Sequence, residues 1–242
     1  MPLLLEVCVG DPESLAAAVA GGADRIELCS ALELGGLTPT PGLMRQAKRT
    51  GVPVYAMIRP RAGDFVFGPE EVESMLEDIV AVRDAGLHGV VLGASRPDGT
   101  LEGAVLRKLV SAASGLGTTL HRAFDLVPAI EPAVELAVEL GFERILTSGL
   151  ARTAPDGIDG LRRAHAAAAG RVAIMAGSGL NAENVAQLLS AVPLSEVHGS
   201  CSREKQAPDA RVVALGMAPP APVKRTDAGE VRRFRQVLHT LS

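Results

Sequence analysis

The 242-residue chain has no tryptophan, one tyrosine and five phenylalanines. A core must therefore be built from aliphatic side chains. No apolar run reaches the roughly 20 residues that a membrane-spanning helix needs. No block of Lys and Arg is interleaved with aromatics, and the formal net charge is −4, which argues against a nucleic-acid partner. The opening residues Met1-Pro2-Leu3-Leu4-Leu5-Glu6 carry no basic segment, and their apolar stretch is too short for a secretory signal. The expectation is a cytoplasmic protein with neither membrane nor nucleic acid as partner. Only three cysteines occur, Cys8, Cys29 and Cys201. In that compartment they are expected to be free thiols or metal ligands rather than a disulfide framework.

What is present is a hydrophobic fraction of 47 %, ample for a sizeable core, and a strict alternation. Short β-rich runs at 3–9, 24–28, 53–58, 89–93, 118–121, 144–148, 172–176 and 195–200 are each followed by a helical pattern. Asp11-Pro12 and Thr40-Pro41 read as N-caps followed by a first-turn proline. Pro69 starts a third helix, Asn181 caps a seventh running to about 191, and the last spans 228–241. Eight βα units of this length predict a parallel sheet closed into a (β/α)8 TIM barrel of the α/β class, one domain over residues 1–242. An open doubly wound sheet is the alternative. Residues 202–227, rich in Pro and Ala, are expected to be irregular and to wrap the barrel's top or side.

Side chains alternate between the two faces of a strand. Leu5, Val7 and Val9, Ile26 and Leu28, and Val54, Ala56 and Ile58 form one parity, which suits contact with helices. The other parity holds Glu6, Glu27, Arg59, His121, Glu196 and His198, and a barrel points it to the axis. Barrel interiors are ordinarily layered with Val, Ile and Leu, and buried ions are costly unless paired or liganded. The bland explanation is internal compensation, with Arg59 neutralising one or two carboxylates. The functional one is a site at the C-terminal ends of the strands.

Several segments resemble the CutC copper-homeostasis family. They include Leu5-Glu6-Val7-Cys8, Gly22-Ala23-Asp24-Arg25-Ile26-Glu27-Leu28-Cys29 and Gly35-Gly36-Leu37-Thr38-Pro39. Ile58-Arg59-Pro60-Arg61-Ala62-Gly63-Asp64-Phe65, His121-Arg122-Ala123-Phe124-Asp125 and Glu196-Val197-His198 follow in order. The resemblance spans nearly the whole chain. It implies a (β/α)8 barrel, a cytoplasmic location and a link to copper handling, and it brings no enzymatic reaction with it.

Two chemistries fit these residues. In the first, Cys8 and Cys29, on neighbouring strands, bind Cu(I) as soft thiolates. Cys201 and His198 lie in the same sector, and buried apolar packing of the cysteines is the alternative. In the second, the chain is an enzyme for a small anionic metabolite. Gly177, Ser178 and Gly179 after strand seven, with Ser200, would then receive a phosphate, as many barrels do. Arg59 and Arg61 would clamp a second anionic group, and Glu6, Glu27, His121 or His198 would supply general acid or base. Thr147 and Ser148 could donate to a ligand or to the next loop. Arg122 and Asp125 read better as a latch than as catalysts. A divalent ion on Glu6, Glu27, His121 and His198 is a third reading, opposed by Arg59. The partner expected is a small molecule or metal, and a homo-oligomer is left open.

Overall fold

The computed structural model describes residues 3–205 and 207–241. Eight parallel strands close into a ring in chain order: β1 (Leu4–Val9), β2 (Arg25–Leu28), β3 (Val54–Met57), β4 (Gly89–Leu92), β5 (Gly117–Leu120), β6 (Arg144–Thr147), β7 (Ala173–Ala176) and β8 (Glu196–Gly199). β8 pairs with β1, so no open edge is left. The (β/α)8 barrel expected from the alternation is therefore the fold, and the doubly wound sheet is not.

Local chemistry sets the helix starts. Asp11 accepts a hydrogen bond from the Ser14 amide ahead of Pro12, and α1 (Pro12–Gly21) begins there. Thr40 does the same for α2 (Pro41–Lys48). The helices α3 (Pro69–Asp84), α4 (Gly103–Ala112), α5 (Ile130–Leu140) and α6 (Ile158–Ala168) follow their strands. α7 (Val185–Ala191) starts a turn later than Asn181 predicts. The Asn181 carboxamide accepts from the Glu183 and Asn184 amides, which holds 181–184 as a turn. The 202–227 stretch is more ordered than expected. β9 (Ser202–Glu204) and β10 (Lys224–Thr226) form an antiparallel ribbon, with a short α8 (Ala210–Ala214) between them. α9 (Ala228–Leu241) packs against α1, α7 and β1. No described helix is long and apolar enough to cross a membrane.

The parity argument separates two cores. Leu5, Val7, Ile26, Val54, Ile145 and Val197 belong to the large aliphatic cluster between strands and helices. Cys29, Tyr55, Met57 and Val91 form a small, separate cluster inside the ring. Leu146 and Met175 also point inward, beside buried side chains that are polar or charged.

Candidate functional site

Strand register decides which inward side chains meet. Glu6 is level with Arg25 on β2 and with His198 on β8, and Cys8 is level with Glu27. At the floor of the barrel, Arg25 is ion-paired to both Glu6 and Glu196. Arg144 reaches Glu196 at 3.1 Å and the Thr119 hydroxyl at 3.2 Å. Both guanidiniums lie over the Tyr55 ring, Arg25 at 5.4 Å and Arg144 at 4.8 Å from its centroid. Compensation inside the barrel thus comes from Arg25 and Arg144, not from Arg59. Burial pushes the Glu6 carboxyl up, but Arg25 and His198 outweigh it and hold the group down at about 2.

Above this floor lie Cys8, Glu27 and His198, whose ligand atoms all fall within 4.8 Å of one another. His198 Nδ1 is 2.9 Å from Glu6 Oε1, and its Nε2 is 3.8 Å from Glu27 Oε2. Burial works against the imidazolium, but Glu27, Cys8 and Glu6 together raise the His198 pKa well above its usual value. Burial raises the Glu27 pKa as well, and Glu27 Oε1 is buried without a hydrogen-bond partner among the described residues. Cys29 Sγ lies 3.6 Å from Glu27 Oε2, within the small inner apolar cluster. It is not part of the close group with Cys8. Burial, followed by the Glu27 charge, raises its thiol pKa. Cys201 lines the cavity above, in a left-handed conformation with φ 45°.

At the mouth, Arg59 and His121 extend the strands β3 and β5. Arg59 is 5 % exposed. Its terminal nitrogens donate to the carbonyls of Leu34, Gly36 and Gly63 at 3.0, 3.1 and 2.7 Å. Nε has no partner. His121 is 3 % exposed. Its Nδ1 accepts from the Ala123 amide at 3.1 Å, and its Nε2 has no partner among the described residues. Burial first, and then Arg59, lower its pKa to about 3. Gly93 permits this packing, because a Cβ there would overlap the His121 ring.

A cavity of about 510 Å³ joins these groups at the C-terminal ends of the strands. Cys8, Glu27, Arg59, His121, His198, Ser178, Gly179 and Ser200 line it. Ser178 holds a φ of 78°, and its Oγ donates to the Arg152 carbonyl. The Ser200 hydroxyl is 2.9 Å from that of Ser202.

Other residues singled out in the sequence lie outside the lining, except Arg122, which is part of it. Arg61 is bound to Glu71, to Asp64 at 3.0 Å and to the Val66 carbonyl at 2.7 Å. Thr147 shares a face with Ile145, toward the helices, and donates to Asp125. Asp125 also pairs with Arg122 at 2.7 Å and accepts from Ser148, which makes the expected latch. Gly177 leaves room for Leu146 and His198 rather than for a ligand. Of the residues weighed for a divalent ion, Glu6 is committed to Arg25 and His198, and His121 Nδ1 to a backbone amide. Sequence reasoning missed Arg25 and Arg144. Both share the inward parity, Arg25 two residues before Glu27 and Arg144 two before Leu146, which lines the cavity.

Residues 3–203 match the model of the CutC family. A family protein CutC from Sinorhizobium medicae (strain WSM419) is 58 % identical over 99 % of this chain and 98 % of its own length. One from Caulobacter vibrioides (strain NA1000 / CB15N) is 54 % identical over 90 % of both. The crystal structure described as the putative copper homeostasis protein CutC from Streptococcus agalactiae is 30 % identical, with a TM-score of 0.78, and covers 82 % of this chain and 98 % of its own. A thiamine phosphate pyrophosphorylase from Pyrococcus furiosus is similar in fold alone, at a TM-score of 0.59 and 16 % identity over 99 % of this chain and 96 % of its own. With the match running from β1 past β8, and with near-complete mutual coverage by its relatives, the chain belongs to the CutC family.

Proposed function

We propose that the cavity binds one soft metal ion, with Cu(I) the expected guest, through Cys8 and His198 with Glu27 beside them. One juxtaposition carries this reading: a thiol, an imidazole and a carboxylate within 4.8 Å of one another. Thiolate and imidazole favour Cu(I) or Zn²⁺ over hard cations. Glu6 strengthens the case from behind. It takes the Nδ1 side of His198 and leaves Nε2 turned toward Glu27. A carboxylate in that place fixes the tautomer of a ligating histidine and raises its basicity. The copper-homeostasis description of the Streptococcus agalactiae relative agrees with a thiol-bearing site.

The thiolate is assigned to Cys8 rather than to a Cys8/Cys29 pair. Cys29 is fully buried among apolar side chains, and its raised pKa makes its thiolate costly. The test is a Cu(I) titration of the reduced protein against a competing chelator, with Zn²⁺ in parallel. Cys8→Ser is expected to weaken Cu(I) binding by roughly 100-fold, about 3 kcal/mol, and Cys29→Ser to change it little. Unchanged affinity in Cys8→Ser overturns the site. Preference for Zn²⁺ keeps the site and rejects copper.

A further inference from the structure

The outer half of the same cavity carries a feature that a metal does not explain. We infer that Arg59 and His121 form an oxyanion subsite for a small organic acid or phosphate ester. The inference stands apart from the metal reading and rests on different atoms.

The barrel supplies its own comparison. It buries three arginines inside, and two of them, Arg25 and Arg144, are paired with carboxylates. Arg59 is equally buried, yet no described carboxylate lies within ion-pairing distance of it. Backbone carbonyls satisfy two of its nitrogens, but neutral dipoles do not cancel a full charge. A buried cation left in that condition is costly. Its free Nε belongs to a side chain that lines the cavity.

His121 provides the second donor. Because Nδ1 accepts from the Ala123 amide, the ring proton of the neutral form sits on Nε2. That N–H is buried, has no partner among the described residues, and belongs to a ring lining the same cavity. Phe65 ties the two donors together. Its ring centroid is 4.7 Å from that of His121 and 4.8 Å from the Arg59 guanidinium carbon. One permanent positive charge without a described counter-ion, and one neutral N–H without a described acceptor, suit an anionic oxygen. Leu32, Met57 and Leu146 give apolar wall for a carbon frame. Deeper in, the unpartnered Glu27 Oε1 would meet a hydroxyl or amine of the ligand. The volume suits a compact metabolite. This subsite lies beyond β3 and β5, away from the Gly177–Gly179 turn that follows β7.

The experiment is isothermal titration of metal-free protein, kept in chelator, with inorganic phosphate, glycerol 3-phosphate and pyruvate. Its outcome is thereby independent of any metal. At least one probe is expected to bind saturably. Phosphate and glycerol 3-phosphate binding without pyruvate identifies a phosphate ester, and the reverse identifies a carboxylate. In ¹⁵N spectra the His121 Nε2–H resonance is expected to move on saturation. Arg59→Gln is expected to abolish binding. His121→Asn keeps an acceptor for the Ala123 amide while removing the Nε2 donor, and is expected to weaken binding about tenfold, the value of one hydrogen bond. Arg61→Gln, outside the cavity, is expected to leave it unchanged. Failure of all three probes to saturate, or affinity that survives both Arg59→Gln and His121→Asn, overturns the subsite.

Discussion

Glu6 Oε1 lies 2.9 Å from His198 Nδ1, while the other oxygen of the same carboxylate is paired with Arg25. One buried anion therefore joins the structural floor of the barrel to the candidate ligand above it. A catalytic acid or base needs a proton to exchange near neutral pH. A carboxyl held at about 2 instead serves as a fixed charge that orients its neighbours.

Removing that charge should hurt stability first. Glu6→Gln keeps the shape but leaves Arg25 dependent on Glu196 alone. Breaking a buried pair by removing one partner costs about 3–5 kcal/mol, and the surviving amide contacts place this variant near the lower end. Urea unfolding measures the loss. An NMR titration should show the His198 pKa falling in the same variant. An unchanged unfolding midpoint would mean that Glu196 alone suffices for Arg25.

Acid should unfold the protein in two overlapping stages. His121 has a folded pKa of about 3 against a usual 6.5. A depressed base binds its proton more readily in the unfolded chain, so its stabilisation is complete above 6.5 and is lost as pH falls toward 3. Glu6, depressed from 4.5 to about 2, adds a loss over that lower range. His198 acts in the opposite direction: its raised pKa gives stability below 6.5 that is lost as pH climbs through the folded value. His121→Asn should flatten the acid limb between 6.5 and 3 by up to one proton, about 1.4 kcal/mol per pH unit. Equal slopes for variant and wild type would refute a buried neutral imidazole.

Metal affinity should rise with pH. His198 cannot ligate through Nε2 while that nitrogen keeps its proton, and the raised pKa makes the proton hard to displace. Chelator competition between pH 6 and 8 should show tightening of up to about tenfold per pH unit for each proton released. Glu6→Gln should shift that dependence to lower pH. A flat profile would point to ligands other than His198.

Gly93→Ala tests the packing that aims His121. The added methyl overlaps the ring and crowds Ala123, and overpacking of this kind costs about 1–3 kcal/mol. The expected result is a lower melting temperature together with loss of the His121–Ala123 hydrogen bond, seen as faster exchange of the Ala123 amide. A variant with wild-type stability would show that the ring has room to move.

Alternation of side chains along the strands was enough to place Glu6, Glu27, His121 and His198 inside the barrel, because a period of two leaves little choice once the fold is a closed ring. The same rule holds for Arg25 and Arg144, yet both begin their strands, where a charged residue reads as the end of a loop. Thr147 failed for the converse reason. It lies at the right end of β6, but on the parity that faces the helices. Arg61 and Arg59 look alike in sequence and part company in space, since contacts with Asp64 in the loop and Glu71 in the first turn of α3 draw Arg61 away. Contacts made by loops have no period to read. The ribbon of β9 and β10 was illegible for a similar cause: strands of three residues leave too short a pattern.

The pairing of β8 with β1 also bears on when the cavity comes into existence. Glu6 and His198 are 192 residues apart in the chain. Contacts of such long range pay their loop-closure entropy before any reward arrives. During synthesis, the thiol of Cys8 and the carboxylate of Glu27 emerge early but have no imidazole to join until nearly the whole polypeptide is made. The proposed capture of a ligand by all three groups would thereby be reserved for the finished barrel.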